Sequence, residues 1–270
     1  MKLEITATEV LEWTGRLLAV YVVIDSFEKL CLAKQYIGGG LFDWHMLKEN
    51  NFYKRQHAFI RKLSDAVFFT PVWMGLLFLR LLCGVYLLFF SSFLTDSIYC
   101  FFTLFIVSSL INCRNIAYGA EAENRFSLII TGALLLQKIA PTHTVTVVAF
   151  WFIALQVCLS YLTAGVAKLL NVNWRNGGGF YRIITAYNKV PLPAVNLFFE
   201  QRRPLSKFIN WSVIVFECFF SLTLVVGRPY FWWFLGFGIV FHASIAIWLR
   251  LGKFFWVWIA TYPALIFITQ

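Results

Sequence analysis

Between Pro71 and Ser92 the chain passes through twenty-two residues of which one, Arg80, is charged. A run of that length and apolarity predicts a helix crossing the roughly 30 Å hydrocarbon core of a bilayer. Seven further runs follow the same logic: Trp13–Tyr36, Leu94–Asn112, Phe126–Ala140, Thr144–Leu170, Phe208–Gly227, Tyr230–Leu249 and Phe254–Ile268. The fourth and eighth of the eight are short, at about 15 residues, which implies tilt or incomplete crossing. Only 13% of the 270 residues are charged, against about 25% in ordinary soluble domains. The expectation is therefore an all-α polytopic transmembrane bundle of about eight spans, one domain from residue 1 to 270, with no separate soluble domain. The N-terminal stretch Met1–Trp13 carries Glu4, Glu9 and Glu12 in place of a basic region, so no cleavable signal peptide is expected.

Two long connections remain, Ile37–Thr70 and Asn171–Lys207. Within the first, Tyr53–Phe69 places Phe59, Ile60, Leu63 and Val67 on one helical face, with Lys54, Arg55, Arg61 and Lys62 largely elsewhere. That pattern predicts an interfacial helix. The second opens NVNWRNGGGFYR and continues through Pro191, Pro193 and Pro204, a mixture that suits an ordered cap or re-entrant loop. The loops on the side holding both connections, side B, carry 15 Lys and Arg, including Arg114 and Arg125, while the opposite side has Lys2, Lys138 and Arg228. The positive-inside rule puts side B in the cytoplasm. The net charge of +10 then reflects orientation and lipid headgroups, with no basic-aromatic block of the kind that binds nucleic acid. The six cysteines lie singly without C-x-x-C spacing and predict neither a metal site nor a redox pair. Gly38–Gly40 and Gly177–Gly179 lack the G-K-[ST] ending of a phosphate loop and are expected to form turns.

Charges at membrane depth cost at least a few kcal/mol unless they face a partner or a wet cavity, and so mark functional candidates. Several such residues lie in the spans, among them Arg16, Asp25, Glu28, Lys29, Arg80, Lys168, Glu217 and His242. At about 1.5 Å per residue, Asp25 lies roughly 16 Å from the side B end of its helix, Arg80 and Glu217 roughly 14 Å, His242 roughly 10 Å, and Lys168 within about one turn. Taken singly, each has a bland explanation: Arg80 and Lys168 can snorkel, Asp25 and Glu28 can pair with Lys29, and His242 can be a satisfied core histidine. Taken together, five helices aim ionisable groups into one half of the bilayer, which predicts a shared polar cavity. His143 lies at the far end of its helix from Lys168 and is expected to be a loop residue.

The stretch Leu159–Tyr181, LSYLTAGVAKLLNVNWRNGGGFY, resembles the signature of the horizontally transferred transmembrane (HTTM) superfamily. That superfamily includes the membrane domain of vitamin K-dependent gamma-carboxylases and the bacterial sporulation-delaying-protein B type. Its helix ending Y-x-x-A-G-x-x-K-L followed by W-x-x-G is matched by Tyr161, Ala164, Gly165, Lys168, Leu169, Trp174 and Gly177. Arg16 and Asp25 are set like the carboxylases' opening R…D pair, and Glu217…Phe241-His242…Leu251-Gly252-Lys253-Phe254 is similar to their acid…F-H…I-G-x-F pattern. The likeness runs from Trp13 to Pro263; it implies side B outside the cytosol, as in the carboxylases, where the charge count puts it inside, so the sidedness stays open.

The resemblance implies a membrane enzyme or maturation factor acting on a peptide. Lys168 would be the base that deprotonates a reduced, vitamin K-like quinone; Asp25, Arg80, Glu217 and His242 would orient it or hold charge, and Tyr161 and Trp174 would line the cofactor pocket. A base must be neutral when it acts, and partial burial favours a neutral lysine. The chain departs from the carboxylases in having Ala167-Lys168 where they carry a double lysine, and it has only His143 as counterpart to their catalytic histidine. Its short W-R-N-G-G form is nearer the bacterial antimicrobial-peptide maturation branch, whose compact chains work with partner proteins in the cytoplasmic membrane. Two other classes stay open: a non-catalytic bundle binding a partner protein or secreted peptide in maturation or immunity, and a quinone-binding accessory subunit.

Overall fold

The computed structural model describes residues 5–90, 97–118, 121–187 and 201–270. Its regular elements are helical, and among the described residues there is no strand. The longer helices are α1 (Ala7–Cys31), α2 (Ala58–Phe68), α3 (Thr70–Phe89), α4 (Ser97–Arg114), α5 (Ala122–Ile139), α6 (His143–Leu170), α7 (Gly179–Tyr187), α8 (Arg203–Phe219), α9 (Arg228–Trp248), α10 (Gly252–Ile259) and α11 (Tyr262–Ile268). Among the described residues five segments are long and apolar enough to cross a membrane: α3, α4, α6, α8 with its 3-10 continuation to Leu224, and α9 from Pro229. The burial pattern agrees with a lipid environment. Asp25, Arg80 and Arg114 are fully buried, while Phe78, Leu82, Trp151, Phe152 and Leu155 are exposed, the reverse of what water selects. The chain is an integral membrane protein.

The other three expected spans fall on helices of a different kind. α1 is 25 residues long but carries the Glu12–Arg16 surface pair at 2.5 Å along with Asp25, Glu28 and Lys29. It ends at Cys31, and Ala33–Tyr36 forms a 3-10 turn instead of continuing the helix. α5 carries Glu123 in its first turn and Lys138 in its last. The expected span Phe254–Ile268 is divided into α10 and α11, with Pro263 in the first turn of α11, where its missing N–H and fixed φ suit a helix start and not a helix interior. Pro191 and Pro193 of the second connection lie outside the described residues.

The chain forms two compact units, Ala7–Ala149 and a second built on Phe150–Gln270. In the first, α1 packs along α3 and α4 along α5. The first connection is more than an interfacial helix: it folds into a cap with its own aromatic core. Asp43 ties down its start by accepting the Gly39 N–H at 2.8 Å and the His45 N–H at 3.0 Å, across a turn with left-handed backbone at Gly38 and Gly39. α2 leaves Phe59, Ile60 and Leu63 exposed along one face, as an interfacial helix requires, while Val67 turns into the cap core. At the centre of the cap is Arg114. Its guanidinium lies over the rings of Tyr36, Trp44, Phe68 and Trp73 at 4.9–5.7 Å and donates to the Phe68 and Phe42 carbonyls at 3.0 and 2.6 Å. The sequence pattern placed Arg114 among the loop charges facing headgroups; the structure puts it in the protein interior, because four ring faces and two carbonyls replace the water it leaves.

Candidate functional site

In the second unit, the last turns of α6 carry Tyr161, Ala164, Gly165 and Lys168 at positions i, i+3, i+4 and i+7, which share one helix face. α8 passes this face closely: a Cβ at Gly165 would stand 2.7 Å from the Cys218 backbone nitrogen and 2.9 Å from the Glu217 carbonyl carbon. The missing side chain is what brings the helices near enough for Lys168 to reach Glu217. Lys168 Nζ donates to both carboxylate oxygens, at 2.8 and 2.6 Å. The lysine side chain is 21% exposed and the glutamate side chain 5%, so the pair is buried on the Glu217 side and open on the Lys168 side.

The segment after α6 covers the pair. Asn171 caps the single-turn helix Val172–Arg175 by accepting the Asn173 N–H at 2.9 Å, and Trp174 on that turn lies 5.2 Å from Lys168 Nζ. Trp174 packs against Gly179, where a Cβ would fall 2.3 Å from the ring. Three bonds fasten the segment to α8. Ser206 Oγ donates to the Gly177 carbonyl, the Phe180 N–H donates to Asn210 Oδ1 at 2.9 Å, and Trp211 Nε1 donates to the Arg175 carbonyl at 3.2 Å. The expectation of an ordered cap holds for this described stretch. Gly177 makes the expected turn, and Gly179 seats the indole, a use not foreseen from the sequence.

Tyr161 Oη and His242 Nε2 lie 2.6 Å apart. Tyr161 stacks on Phe220 with ring centroids 3.9 Å apart, and His242 is flanked by Phe254 and Trp258 at 5.4 and 5.7 Å. Tyr161, His242, Phe254 and Trp258, with Lys168, Glu217, Trp174, Phe180 and Phe241, line one cavity of about 430 Å³. Its floor repeats the helical spacing on each contributing element: Val213 and Glu217 on α8; His242, Ile245 and Leu249 from α9 to its end; Phe254 and Trp258 on α10. Trp258 was not among the sequence candidates, and its signal is a spacing of four from Phe254 on one helical face.

Five of the seven candidate residues thus meet at this cavity: Lys168, Glu217, His242, Tyr161 and Trp174. The other two, Asp25 and Arg80, belong to the first unit and pair with each other there. Arg80 Nη1 donates to Asp25 Oδ2 at 2.7 Å and to Ser26 Oγ at 3.0 Å. Lys29 Nζ contacts the second Asp25 oxygen and reaches Glu121 at 3.2 Å. Asp25 and Arg80 side chains are both 0% exposed. A glycine again sets the approach, since a Cβ at Gly84 would stand 2.9 Å from Val22. Among the described residues no group of three or more His, Cys, Asp and Glu side chains is arranged to hold a metal ion.

No family model matches the chain, and neither the curated proteins nor the solved structures contain a match to it.

Proposed function

We propose that the protein is an HTTM-type enzyme or maturation factor of the bacterial cytoplasmic membrane, acting on a peptide at the cavity between α6, α8, α9 and α10. One observation carries this reading: a lysine–carboxylate pair and a tyrosine–histidine pair stand on the wall of the same aromatic-lined cavity. Its volume, about 430 Å³, lies in the range of about 300–1,000 Å³ usual for small-molecule sites. The flat faces of Trp174, Phe254 and Trp258 beside a few polar atoms fit a planar, carbonyl-bearing ring such as a quinone. A bound quinone supplies two-electron chemistry that no side chain here carries.

The residues' part is to bind and to move protons. Lys168 holds a proton between its Nζ and the two Glu217 oxygens, so the two groups form one exchange unit. For Lys168 to take a proton from a bound hydroxyl, its own must first pass to Glu217 or to water at the open side of the pair. Tyr161 and His242 form a second hydrogen-bonded couple in the same cavity, with the aromatic rings around them excluding water. The decisive comparison is Lys168→Arg. Arginine keeps the charge and cannot act as a base, so peptide conversion, followed by mass change of a co-encoded secreted peptide, should vanish while the amount of inserted protein stays normal. Full conversion by the Arg variant overturns the proposal.

A second reading, a non-catalytic bundle that binds a partner protein or peptide, is favoured by the completeness of the Lys168–Glu217 contact. In that case Arg substitutes for Lys168 and Lys168→Ala lowers protein abundance. The eight-span topology is also proposed. It is supported by the meeting of the chain ends, where the Ile5 N–H donates to Gln270 Oε1 and Gln270 Nε2 donates to the Ile5 carbonyl, both at 3.0 Å. Ends on one side require an even number of crossings, so reporter fusions at the two termini should give the same compartment; opposite compartments would exclude eight.

A further inference from the structure

The segment that covers Lys168 opens on two cavities. Trp174, Phe180 and Ile183 line the one that holds Lys168 and Glu217, while their chain neighbours Asn173, Tyr181 and Arg182 line another, of about 350 Å³. Consecutive residues, with Cα atoms about 3.8 Å apart, thus serve different spaces, and the cover is a thin partition between them. Asn176 on the cover and Arg203 and Ser206 on α8 complete the second cavity.

Its lining carries charge of one sign. Two guanidiniums, two amides and two hydroxyls contribute, and among the described residues that line it none is acidic. Arg182 runs beside the Gly178 backbone, where a Cβ would stand 3.5 Å from its Nε. The side chains of Asn173, Asn176, Tyr181 and Arg203 have no hydrogen-bond partner among the described residues. A guanidinium pairs with a carboxylate through two parallel bonds, so this lining selects an anion. Rotation about α8 shows the direction from which the anion arrives. At about 100° per residue, Arg203 and Ser206 stand on the side of α8 opposite Phe208, Val215 and Phe219, which are exposed as a lipid-facing stripe requires. The cavity is therefore turned away from the hydrocarbon, and its amides match the N–H and C=O groups of a peptide backbone.

We propose that this second cavity docks a carboxylate of an acidic peptide, at a point separate from the residue that is modified; the inference rests on the peptide reading given above. The docked peptide is held on one side of a partition whose other side carries Trp174 and the Lys168 cavity, so recognition and chemistry fall on different residues.

The test uses the full chain in phosphatidylcholine nanodiscs and a fluorescein-labelled peptide of alternating Gly and Glu, with a Gly–Gln peptide as control, followed by fluorescence anisotropy. The wild type should bind the Glu peptide and not the Gln peptide. Arg182→Gln and Arg203→Gln should each weaken binding about tenfold or more, the loss of one charge-assisted hydrogen bond. Arg175→Gln removes an exposed cation of the same cover that does not line the cavity, and should change binding less than about twofold. Equal loss in all three variants, or equal binding of the Gln peptide, overturns the proposal. So does phosphatidylglycerol retained by the wild type and released by Arg203→Gln in native mass spectrometry with anisotropy unchanged, which assigns the cavity to lipid headgroups. Binding is read without turnover, so a peptide that docks at the arginines of a chain that converts nothing defeats the enzymatic reading and leaves the docking site standing. Where the co-encoded peptide is converted, the two arginine variants should raise KM far more than they lower kcat; an unchanged KM overturns the docking site and leaves the enzymatic reading standing.

Discussion

The molecule contains two buried ionic clusters made from the same kinds of side chain. In the first unit, Asp25 is closed in between Arg80, Lys29 and Ser26, and neither Asp25 nor Arg80 has any exposed surface. In the second, Glu217 is equally deep, yet its partner Lys168 keeps about a fifth of its side chain accessible and faces a cavity. The Asp25–Arg80 contact itself is closed and reaches the surface through Lys29 and Glu121, so it holds α1 against α3, whereas the Lys168–Glu217 pair stands directly on a cavity. The difference separates the two clusters where depth along a helix alone cannot.

Asp25→Asn should break the comparison most severely. It removes the one carboxylate between two buried cations, a loss of about 3–5 kcal/mol when a buried pair loses one partner, and inserted protein measured by quantitative immunoblot should nearly disappear. Glu217→Gln should be milder in abundance, because Lys168 can turn its ammonium toward the open side, while peptide conversion is lost; equal loss of abundance in the two variants would erase the distinction. Gly165→Ala tests the geometry that permits the open pair. The added Cβ overpacks the α6–α8 contact, at about 1–3 kcal/mol, and conversion should fall further than protein level. The smallest effect belongs to the cap. The Gly39 and His45 backbone N–H groups hold the Asp43 carboxyl below its usual range, against the opposing effect of burial. A lowered folded pKa stabilises fully above the unfolded value, about 3.9, and that stabilisation is lost as pH falls through the lowered value. Protease nicking between Ile37 and Asn50 should therefore rise only in acid for the wild type. In Asp43→Ala, which loses about 1 kcal/mol of capping, it should already be raised at neutral pH.

Much of this was legible in the sequence, and the limits follow from physics. Long apolar runs specify helices because the bilayer allows little else, and the gathering of Lys168, Glu217 and His242 in one half of their helices could be anticipated from depth, although the contact between Lys168 and Glu217 could not, since their depths differ. Depth is one coordinate, however, and says nothing about rotation. Asp25 and Arg80 share a depth with Glu217 and still pair within their own unit, because α1 and α3 close on each other at Gly84. Arg114 shows a second limit. Hydropathy treats a basic residue at a helix end as solvated, and only the convergence of rings from three separate segments makes the interior the better place for it.

Arg114 also fixes an order of events during synthesis. The cap residues Tyr36, Trp44, Tyr53 and Phe68 leave the ribosome well before Arg114, and their rings surround a cation that does not yet exist when they emerge. The cap therefore closes only after α4, which ends at Arg114, has been made. Arg114 then bolts the finished cap, four rings and two carbonyls gathered on one guanidinium.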